Sequence, residues 1–465
     1  MKNRFNRSTA IAVLVLSANL ISLAQAGAKA TVDERNVRAQ MNFLASDAMQ
    51  GRGSGTMFER IAAEYIGSQF MQFGLEPAGH NGWDGKPSFV QTIEVVGRPR
   101  LKDLRFGRMS SMFTLGKEWV ALSIASTEIR GTLREILLSE SAGRDDIVLV
   151  RLNEDDTLQS IQQNVTRLYN DGAAAVIITE TKELRERWKD LGNLRPAVSR
   201  RGTLIAVDRP SGNFLSTLAK NPANDPIEIY ADFAEPEKGY TWNAAGKITG
   251  SDPKLSSEVI VLSSHLDHLG VRENTPGDDK IFNGADDDAS GTVAVMELAR
   301  ILAAGKRPKR TVYFVCYGSE EAGGLGSNYF SNNLPFPKES LVANLQFEMI
   351  GRPDAKVKPD ELWLTGYERS NLGPELAKRG AKIVQDPHPT ENFFRRSDNY
   401  ILARQGIIAH TVSSFGLHTD YHRASDELKT IDFGHMTRSI GSMIKPVEWL
   451  VNSDFRPTWN EGMKP

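Results

Sequence analysis

The chain has 465 residues, of which 40% are hydrophobic, and its 56 basic and 58 acidic side chains give a net charge of −2. This length exceeds what one small core needs and predicts two or three domains. Because there is no basic surplus, we expect no nucleic-acid partner and no attraction to an anionic bilayer. The single cysteine, Cys316, excludes an intramolecular disulfide and is expected to be a buried apolar residue.

Residues 1–26 have the pattern of a secretory signal peptide. Basic residues precede an apolar run at 10–16, and residues 24–26 form a small-x-small cleavage site. A membrane anchor is the alternative, but Ser17 and Asn19 break an apolar core that is shorter than the roughly 20 residues of a span. No later stretch is apolar enough to cross a bilayer. We therefore expect an exported protein, periplasmic or extracellular, without a membrane span after signal cleavage.

The spacing of apolar residues after the signal predicts helices at 37–44 and 58–73, the second ending at Gly74, and then a strand at 89–92. Between the two helices, the glycine-rich residues 51–55 are predicted to form a tight loop. A phosphate-binding loop is excluded there, because no Lys-Ser/Thr pair follows and no apolar strand precedes it.

The pattern changes from about residue 105 to residue 235, where no cluster of metal-binding type occurs. The elements predicted there are a strand at 147–152, a helix at 158–169 and strands at 172–178 and 203–207. This strand-helix-strand-strand succession predicts a separate smaller domain, α/β or β-rich, or a lobe whose role the sequence leaves open.

The second half of the chain alternates strands and helices. The predicted elements are a strand at 259–264, a helix at 291–304, a strand at 311–317, a helix at 326–332, a strand at 341–349 and a late strand at 407–412. Such alternation predicts an α/β fold whose largely parallel sheet is covered by helices on both faces.

Polar residues follow the first of these strands. His265 is expected at the rim of the sheet, where Asp267 would accept its second ring N–H and fix the tautomer. Three adjacent aspartates, residues 286–288, lie just before Ser290, the expected N-cap of the next helix. Three neighbouring carboxylates do not all stay ionised without a cation, so this turn is a candidate metal-binding segment.

Further candidate ligands lie downstream, each after or near an apolar strand: Glu320, Glu321, Glu348 and His422. In open α/β sheets the ligand site lies outside the carboxyl ends of the strands, so we expect these residues to share one site with those above. Two histidines and several carboxylates, without a thiolate, suit a hydrolytic zinc pair better than a structural zinc site.

The motifs and their order resemble peptidase family M28, whose members are dizinc aminopeptidases and carboxypeptidases that are secreted or membrane-linked. The resemblance rests on His265-x-Asp267, the Asp287-centred residues 284–291, Glu320-Glu321 with Gly326-Ser327, Tyr421-His422, and the N-terminal residues 43–47 and 51–56. It covers most of the chain. It implies a zinc-exopeptidase-like domain at 33–105 and 240–455, and an inserted domain at 106–235 similar to a protease-associated (PA) domain.

The resemblance also implies two zinc ions per chain. One ion would be bound by Asp287, Glu321 and His422. The other would be bound by Asp287, Glu348 and His265, so that Asp287 bridges the pair. Many family members have aspartate where this chain has Glu348, and the extra methylene changes the reach of that carboxylate.

The roles that the resemblance gives to the remaining residues are catalytic. Glu320 would take a proton from the attacking water and pass it to the leaving amine. Asp267 would support His265, and Tyr421 would donate a hydrogen bond to the oxyanion of the tetrahedral intermediate.

An aminopeptidase acting on peptides is the main hypothesis, because the acidic site favours a substrate's α-ammonium group. A carboxypeptidase would instead need a cationic clamp, for which the candidates are Arg352, Arg395, Arg396 and Arg423. A dizinc amidohydrolase or cyclase of the same fold is a further alternative. A non-catalytic binding protein is a remote one, which the presence of Glu320 and a full ligand set argues against. The oligomeric state is left open.

Overall fold

The computed structural model describes residues 31–465 except 83, 98, 109–110, 126, 194–196, 199–201 and 222–225. The predicted signal peptide, residues 1–26, lies outside the described residues. The chain divides into two compact units, a smaller one from Val96 to Lys238 and a larger one built from the segments on either side of it. Among the described residues, none of the helices combines the length and apolarity that a membrane span requires.

A nine-stranded sheet forms the centre of the larger unit. Eight of its strands lie in the order Glu76–Pro77, Lys238–Ile248, Thr311–Tyr317, Val259–His265, Leu341–Phe347, Ala409–Ser413, Leu362–Leu364 and Ile383–Gln385, and Val90–Val96 also pairs with Lys238–Ile248. The four strands at the centre run parallel, whereas antiparallel pairs join them to the outer strands. The predicted α/β class with a mostly parallel central sheet is confirmed.

Successive side chains of a strand point to opposite faces of the sheet, and here each face has its own core. Ile260 and Leu262 belong to one core, whereas Val259 and Val261 belong to the other. The helices that contribute to the first core are Glu34–Leu44, Met57–Gln72, Gly291–Ala304, Leu372–Lys378 and Phe433–Asn452. The helices that contribute to the second are Leu325–Asn332 and Asn399–Ala403. Because both faces are covered, polar side chains gather at the strand ends.

Side-chain caps explain where the first two helices begin. The first helix begins at Glu34, three residues before the predicted start, because the Asp33 carboxylate accepts a hydrogen bond from the amide of Arg35 at 2.9 Å. The hydroxyl of Thr56, which directly follows the segment predicted to be a tight loop, caps Met57–Gln72 in the same way.

Ser290 does not cap the helix Gly291–Ala304, contrary to the prediction. It already has helical dihedral angles, and its hydroxyl donates a hydrogen bond to the carbonyl of Asp286 at 2.8 Å. The amide of Gly291 donates instead to Asp288 Oδ1 at 2.9 Å. A carboxylate is favoured at this position because the N-terminus of a helix carries partial positive charge. One of the three aspartates is therefore used as a cap.

The smaller unit contains two sheets within its described residues. The six-stranded sheet has the order Ala197–Val198, Trp119–Ile124, Thr203–Val207, Ala175–Thr179, Ile147–Val150 and Leu133–Ile136, and the four-stranded sheet has the order Ser111–Met112, Arg100–Arg108, Ile227–Ala234 and Glu128–Gly131. The described helices are Leu158–Asp171, Lys182–Glu186, Trp188–Asn193 and Arg209–Ala219. The last two strands of the predicted strand-helix-strand-strand succession are Ala175–Thr179 and Thr203–Val207. The two short helices Lys182–Glu186 and Trp188–Asn193 lie between them.

Candidate metal centre

The predicted ligands meet at the carboxyl end of the parallel strands, where the backbone leaves the sheet. His265 ends Val259–His265, Glu348 follows Leu341–Phe347, Glu321 follows Thr311–Tyr317, His422 follows Ala409–Ser413, and Asp287 precedes Gly291–Ala304. This edge is where side chains from neighbouring parallel strands approach one another. Residues that lie far apart in the sequence are thereby collected into one cluster.

Asp287 lies at the middle of this cluster. Its Oδ1 is 3.2 Å from His265 Nε2, and its Oδ2 is 3.2 Å from His422 Nε2. His422 Nε2 is also 3.2 Å from Glu321 Oε1. Burial alone would raise the pKa of Asp287, but the two imidazoles outweigh it and lower that pKa well below its ordinary value. Each oxygen of this carboxylate therefore faces its own imidazole.

Glu348, the fifth predicted ligand, lies on the His265 side of the cluster. Burial raises the pKa of Glu348 to about 7, although the charge of His265 opposes the change. The hydroxyl of Ser397 donates a hydrogen bond to Glu348 Oε2, and Gln346 Nε2 donates to the same oxygen at 3.2 Å. The structure thus brings all five predicted ligands to one site, with Glu348 held in place by neutral donors.

Asp267 is placed differently from the prediction. His265 Nδ1 is 3.2 Å from the backbone carbonyl of Asp267 and 3.7 Å from its carboxylate. That carboxylate instead accepts hydrogen bonds from the amides of Glu320, at 2.9 Å, and Glu321, at 3.3 Å, and from the hydroxyl of Ser54, at 2.6 Å. The side chain of Asp267 therefore holds the loop that carries both glutamates, because backbone turning after the strand brings those amides to it.

Glu320 is adjacent to a predicted ligand and is surrounded by other carboxylates. Burial raises the pKa of Glu320 well above its ordinary value. The charge of His265 opposes this change, and the charges of Asp398 and Glu348 add to it. A carboxyl group that holds its proton more tightly than usual is a better proton acceptor in a reaction near neutral pH.

Tyr421 packs against the face of a predicted ligand. Its ring stacks on His422 with centroids 3.9 Å apart and contacts Phe415 with centroids 5.2 Å apart. Burial raises the pKa of the Tyr421 hydroxyl above its ordinary value, so the group stays a neutral hydrogen-bond donor at physiological pH. Tyr421 also lines the cavity described next.

A cavity opens beside Glu348 and contains about 400 Å³ of space, part of it continuous with solvent. Arg396 is the cationic residue that lines it. The aromatic residues that line it are Trp363, Phe393, Phe415 and Tyr421. An enclosure of this kind binds apolar or planar groups, because aromatic side chains provide a large apolar surface.

Sequence reasoning gave no role to His268, which is fully buried immediately after Asp267. Its Nδ1 is 3.0 Å from Glu321 Oε1 and 3.8 Å from Asp287 Oδ2. One ligand atom from each of His268, Asp287 and Glu321 lies within 4.8 Å of the others. The signal that could have found it is its direct attachment to the His265-x-Asp267 motif.

Sequence reasoning also missed Arg52, which it placed only in a tight loop. Its side chain is 1% exposed. The guanidinium group donates hydrogen bonds to the carbonyls of Leu44, Leu266, Asn283 and Gly284 at distances between 2.6 and 2.9 Å. Leu266 follows His265, and Gly284 precedes the three aspartates. One buried cation therefore fixes the backbone of both ligand-bearing loops.

Asp426 is a third residue that the sequence did not reveal. Its carboxylate accepts hydrogen bonds from the amide of Asp286 at 3.0 Å and from that of Asp287 at 3.1 Å. Asp286 Oδ2 in turn lies 2.9 Å from His418 Nε2. The three adjacent aspartates thus face three different sets of partners. Only Asp287 faces both His265 and His422.

The donor atoms suit a zinc site. Imidazoles and carboxylates without a thiolate are typical of catalytic zinc. Among the described residues, both ring nitrogens of His268 and Oε1 of Glu321 are buried without a hydrogen-bond partner. Buried polar atoms are otherwise almost always paired, so these atoms are suited to bind a cation. The cluster therefore fits a divalent metal centre.

Part of this chain is similar to known peptidases, since residues 243–445 match the model of peptidase family M28. One relative is an aminopeptidase of Pseudomonas aeruginosa (strain UCBPP-PA14), 29% identical over 186 residues, which are 39% of this chain and 31% of that protein. This chain thus matches only 31% of the length of that aminopeptidase, and it matches 23% of the length of another curated relative.

Two solved structures have the same fold. The aminopeptidase from Aneurinibacillus sp. strain AM-1 aligns with a TM-score of 0.53 and 19% identity, covering 93% of this chain and 96% of that chain. The zinc aminopeptidase BSAP from Bacillus subtilis aligns with a TM-score of 0.51 and 16% identity, covering 91% and 96%. At these identities the likeness shows the fold alone.

Proposed function

We propose that this protein is an exported dizinc aminopeptidase. The observation that carries the proposal is the environment of Asp287, where His265 Nε2 faces one carboxylate oxygen and His422 Nε2 faces the other, both at 3.2 Å. A carboxylate arranged in this way suits a bridge between two ions. Each ion would be completed by its own histidine and by one further carboxylate, Glu348 on one side and Glu321 on the other.

Two zinc ions bound there would supply an activated water molecule and a Lewis acid for the scissile carbonyl. Glu320 accepts the proton of the attacking water and passes it to the leaving amine. Asp267 holds Glu320 in place by accepting the hydrogen bond from its amide. Tyr421 supplies a neutral hydroxyl that can donate to the developing oxyanion.

Charge distribution favours cleavage from the amino end. The carboxylates around the site attract an α-ammonium group, whereas a carboxypeptidase needs a cation that is free to bind a carboxylate. Arg352 donates to Asp420 at 2.7 Å, and Arg396 lies 3.4 Å from Glu391. Both of these arginines are thus already paired with carboxylates of the chain.

A carboxypeptidase is the second candidate function, because Arg396 lines the cavity beside Glu348. In either reading, the aromatic walls of that cavity would contact the side chain of the terminal residue. A preference for apolar terminal residues follows from this lining.

A peptide digestion separates the two candidates. The zinc-loaded full chain is incubated with an unblocked peptide and with its N-acetylated twin, and the products are followed by mass spectrometry. Stepwise loss from the free amino end, with the acetylated peptide intact, supports the aminopeptidase. C-terminal shortening of both peptides would instead support the carboxypeptidase. Cleavage of small amides alone would identify an amidohydrolase.

We extend the proposal to the remaining parts of the chain. Residues 1–26 act as the signal peptide, and the larger unit forms the catalytic domain. The smaller unit is a PA-like insert, which begins at Val96 and not at residue 106. Its six-stranded sheet with flanking helices supports an independently cored insert. The mass of the mature protein from the periplasm or medium tests export, since cleavage after Ala26 gives a defined N-terminus. A mature protein that retains residues 1–26 would contradict it.

A further inference from the structure

We propose that His268 is a third imidazole of the metal centre and binds, through Nδ1, the ion held by Asp287, Glu321 and His422. The inference rests on the proposed dizinc site and adds a protein ligand to one half of it. With His268 as a ligand, the two ions would have different numbers of protein ligands, and the ion with fewer would be the one open to substrate.

The first observation concerns the surroundings of the His268 ring. Its side chain is 0% exposed, and neither ring nitrogen has a hydrogen-bond partner among the described residues. Glu321 Oε1, 3.0 Å from His268 Nδ1, is buried without a hydrogen-bond partner as well. A buried imidazole normally has at least one of its nitrogens satisfied. His268 Nδ1 and Glu321 Oε1 are adjacent, and both are buried without a hydrogen-bond partner, which indicates that they bind the same third atom.

The second observation is the spacing of the four atoms. Ligands about 2.0 to 2.2 Å from a tetrahedral zinc ion lie roughly 3.3 to 3.6 Å from one another. His268 Nδ1 is 3.0 Å from Glu321 Oε1 and 3.8 Å from Asp287 Oδ2. His422 Nε2 is 3.2 Å from each of the same two oxygens. These four separations scatter around the edge length of a tetrahedron built on zinc.

A direct hydrogen bond from His268 to Glu321 is the competing explanation. The two atoms are close enough, but they are not aligned as a donor and an acceptor, and each remains without a hydrogen-bond partner. Such misalignment is expected when both lone pairs point to one ion between them. The ring cannot turn away easily, because a Cβ added at Gly284 would lie 2.4 Å from His268 Cγ. The imidazole is thus packed against the backbone of the aspartate turn.

The consequence is an asymmetric pair. The ion on the Glu321 side would have four protein ligands, which is the closed arrangement of a structural zinc site. The ion on the Glu348 side would have three, which is the arrangement of a catalytic zinc with an open position. Glu348 is also the ligand that lines the cavity. The open position and the cavity therefore lie on the same side of the site.

Counting imidazoles tests the proposal without measuring activity. X-ray absorption of the zinc-loaded wild-type chain is expected to show three imidazoles per pair of zinc ions. The variant His268→Asn, whose amide occupies the place of Nδ1, is expected to show two. The control His410→Asn removes another fully buried histidine, one whose ring nitrogens already lie 2.7 Å from Ser370 and Thr365, and should leave the count at three.

Zinc affinity provides the second readout. Loss of a residue that only supports a ligand costs about 10- to 100-fold in metal affinity. Loss of His268 as a ligand is expected to cost more than this at one of the two ions, measured by competition with a chelator. The metal-free proteins are compared by circular dichroism and melting temperature, and we expect His268→Asn to match the wild type there while gaining less stability from zinc.

Two imidazoles in the wild-type protein would overturn the proposal, whether or not the variant folds. An unchanged count in His268→Asn would also overturn it and would assign His268 to hydrogen bonding with Glu321. Neither outcome would affect the dizinc site itself. Failure of the proposed function would appear separately, as a wild-type chain that binds fewer than two zinc ions or cleaves no peptide.

Discussion

The hydroxyl of Ser319 donates a hydrogen bond to Glu59 Oε1 at 2.9 Å, although 260 residues separate the two in the sequence. The hydroxyl of Thr241 donates to the same oxygen at 2.9 Å, and the amide of Gly55 donates to Oε2 at 2.7 Å. Ser319 directly precedes Glu320 and has a φ of 51°. This left-handed conformation costs free energy for a residue with a side chain and persists only when its surroundings enforce it. Glu59 thus enforces the turn that presents Glu320.

We expect Glu59→Gln to lower kcat by about 10- to 100-fold, the range for loss of a supporting partner, with little change in KM. An amide cannot accept all three hydrogen bonds, so the turn at Ser319 relaxes while the metal ligands stay in place. Steady-state kinetics beside zinc content measures this. The control Glu64→Gln lies on the same helix, where Glu64 is 56% exposed and pairs with Arg60. Equal kinetics in both variants would contradict the positioning role of Glu59.

Glu320→Gln should leave both metal ions bound while kcat falls by at least ~10²-fold, because the amide cannot accept the proton of the attacking water. Metal content by atomic emission, measured with the kinetics, distinguishes this role from that of a ligand. Loss of an ion, or retention of full activity, would show that the adjacent glutamates Glu320 and Glu321 have been assigned the wrong way round.

Asp287→Ala should lose more metal than His265→Ala or His422→Ala, since it removes a ligand from both ions at once. Zinc content after dialysis against a weak chelator is the measurement. The histidine variants should each lose chiefly one ion. The bridging role would be refuted if all three variants lost the same single ion.

We expect His410 to make the larger unit sensitive to acid. It is fully buried, with Nδ1 2.7 Å from the carbonyl of Thr365 and Nε2 2.7 Å from the hydroxyl of Ser370, a pattern that the neutral ring satisfies. Burial lowers the pKa of His410 from 6.5 to about 4. The unfolded chain therefore binds a proton in this range that the folded chain does not. The free energy of unfolding should fall by up to roughly 3 kcal/mol as the pH drops from about 6.5 to about 4.

The variant His410→Gln tests this dependence, because its side chain cannot titrate while its amide oxygen can still accept from Ser370. Urea unfolding of the wild type and the variant is followed across the same pH range. We expect the variant to be less stable near neutral pH but to lose less stability on acidification. Parallel losses in the two proteins would show that His410 does not cause the acid sensitivity.

The four parallel strands at the centre of the sheet and the polar residues at their ends were accessible from the sequence, because each depends on local patterns. The outer strands Lys238–Ile248 and Leu362–Leu364 and the helix Phe433–Asn452 were not predicted. Seven consecutive buried residues in Val259–His265 read directly as a strand covered on both faces. His265, Glu348 and the Glu320-Glu321 pair stand at the ends of such runs. The rule that ligands gather at the carboxyl ends of parallel strands then placed them together.

The supporting residues were not accessible, because their partners are distant in the sequence. Nothing local to Glu59 indicates Ser319, and nothing local to Asp426 indicates the amides of Asp286 and Asp287. Asp267 was assigned to its near neighbour His265, yet its carboxylate holds a loop about fifty residues away. Hydrogen bonds between residues so far apart in the sequence become visible only in the folded structure.

Arg52 has a consequence for the time at which activity can arise. Its acceptors include the carbonyls of Asn283 and Gly284, 231 and 232 residues further along the chain. Residue 52 emerges early during synthesis, long before the loops that it secures, and His422 emerges later still. An incomplete chain therefore has neither the fixed loops nor the last ligand. The proposed metal centre can therefore form only after residue 422 has been synthesised, so the order of the chain delays its assembly.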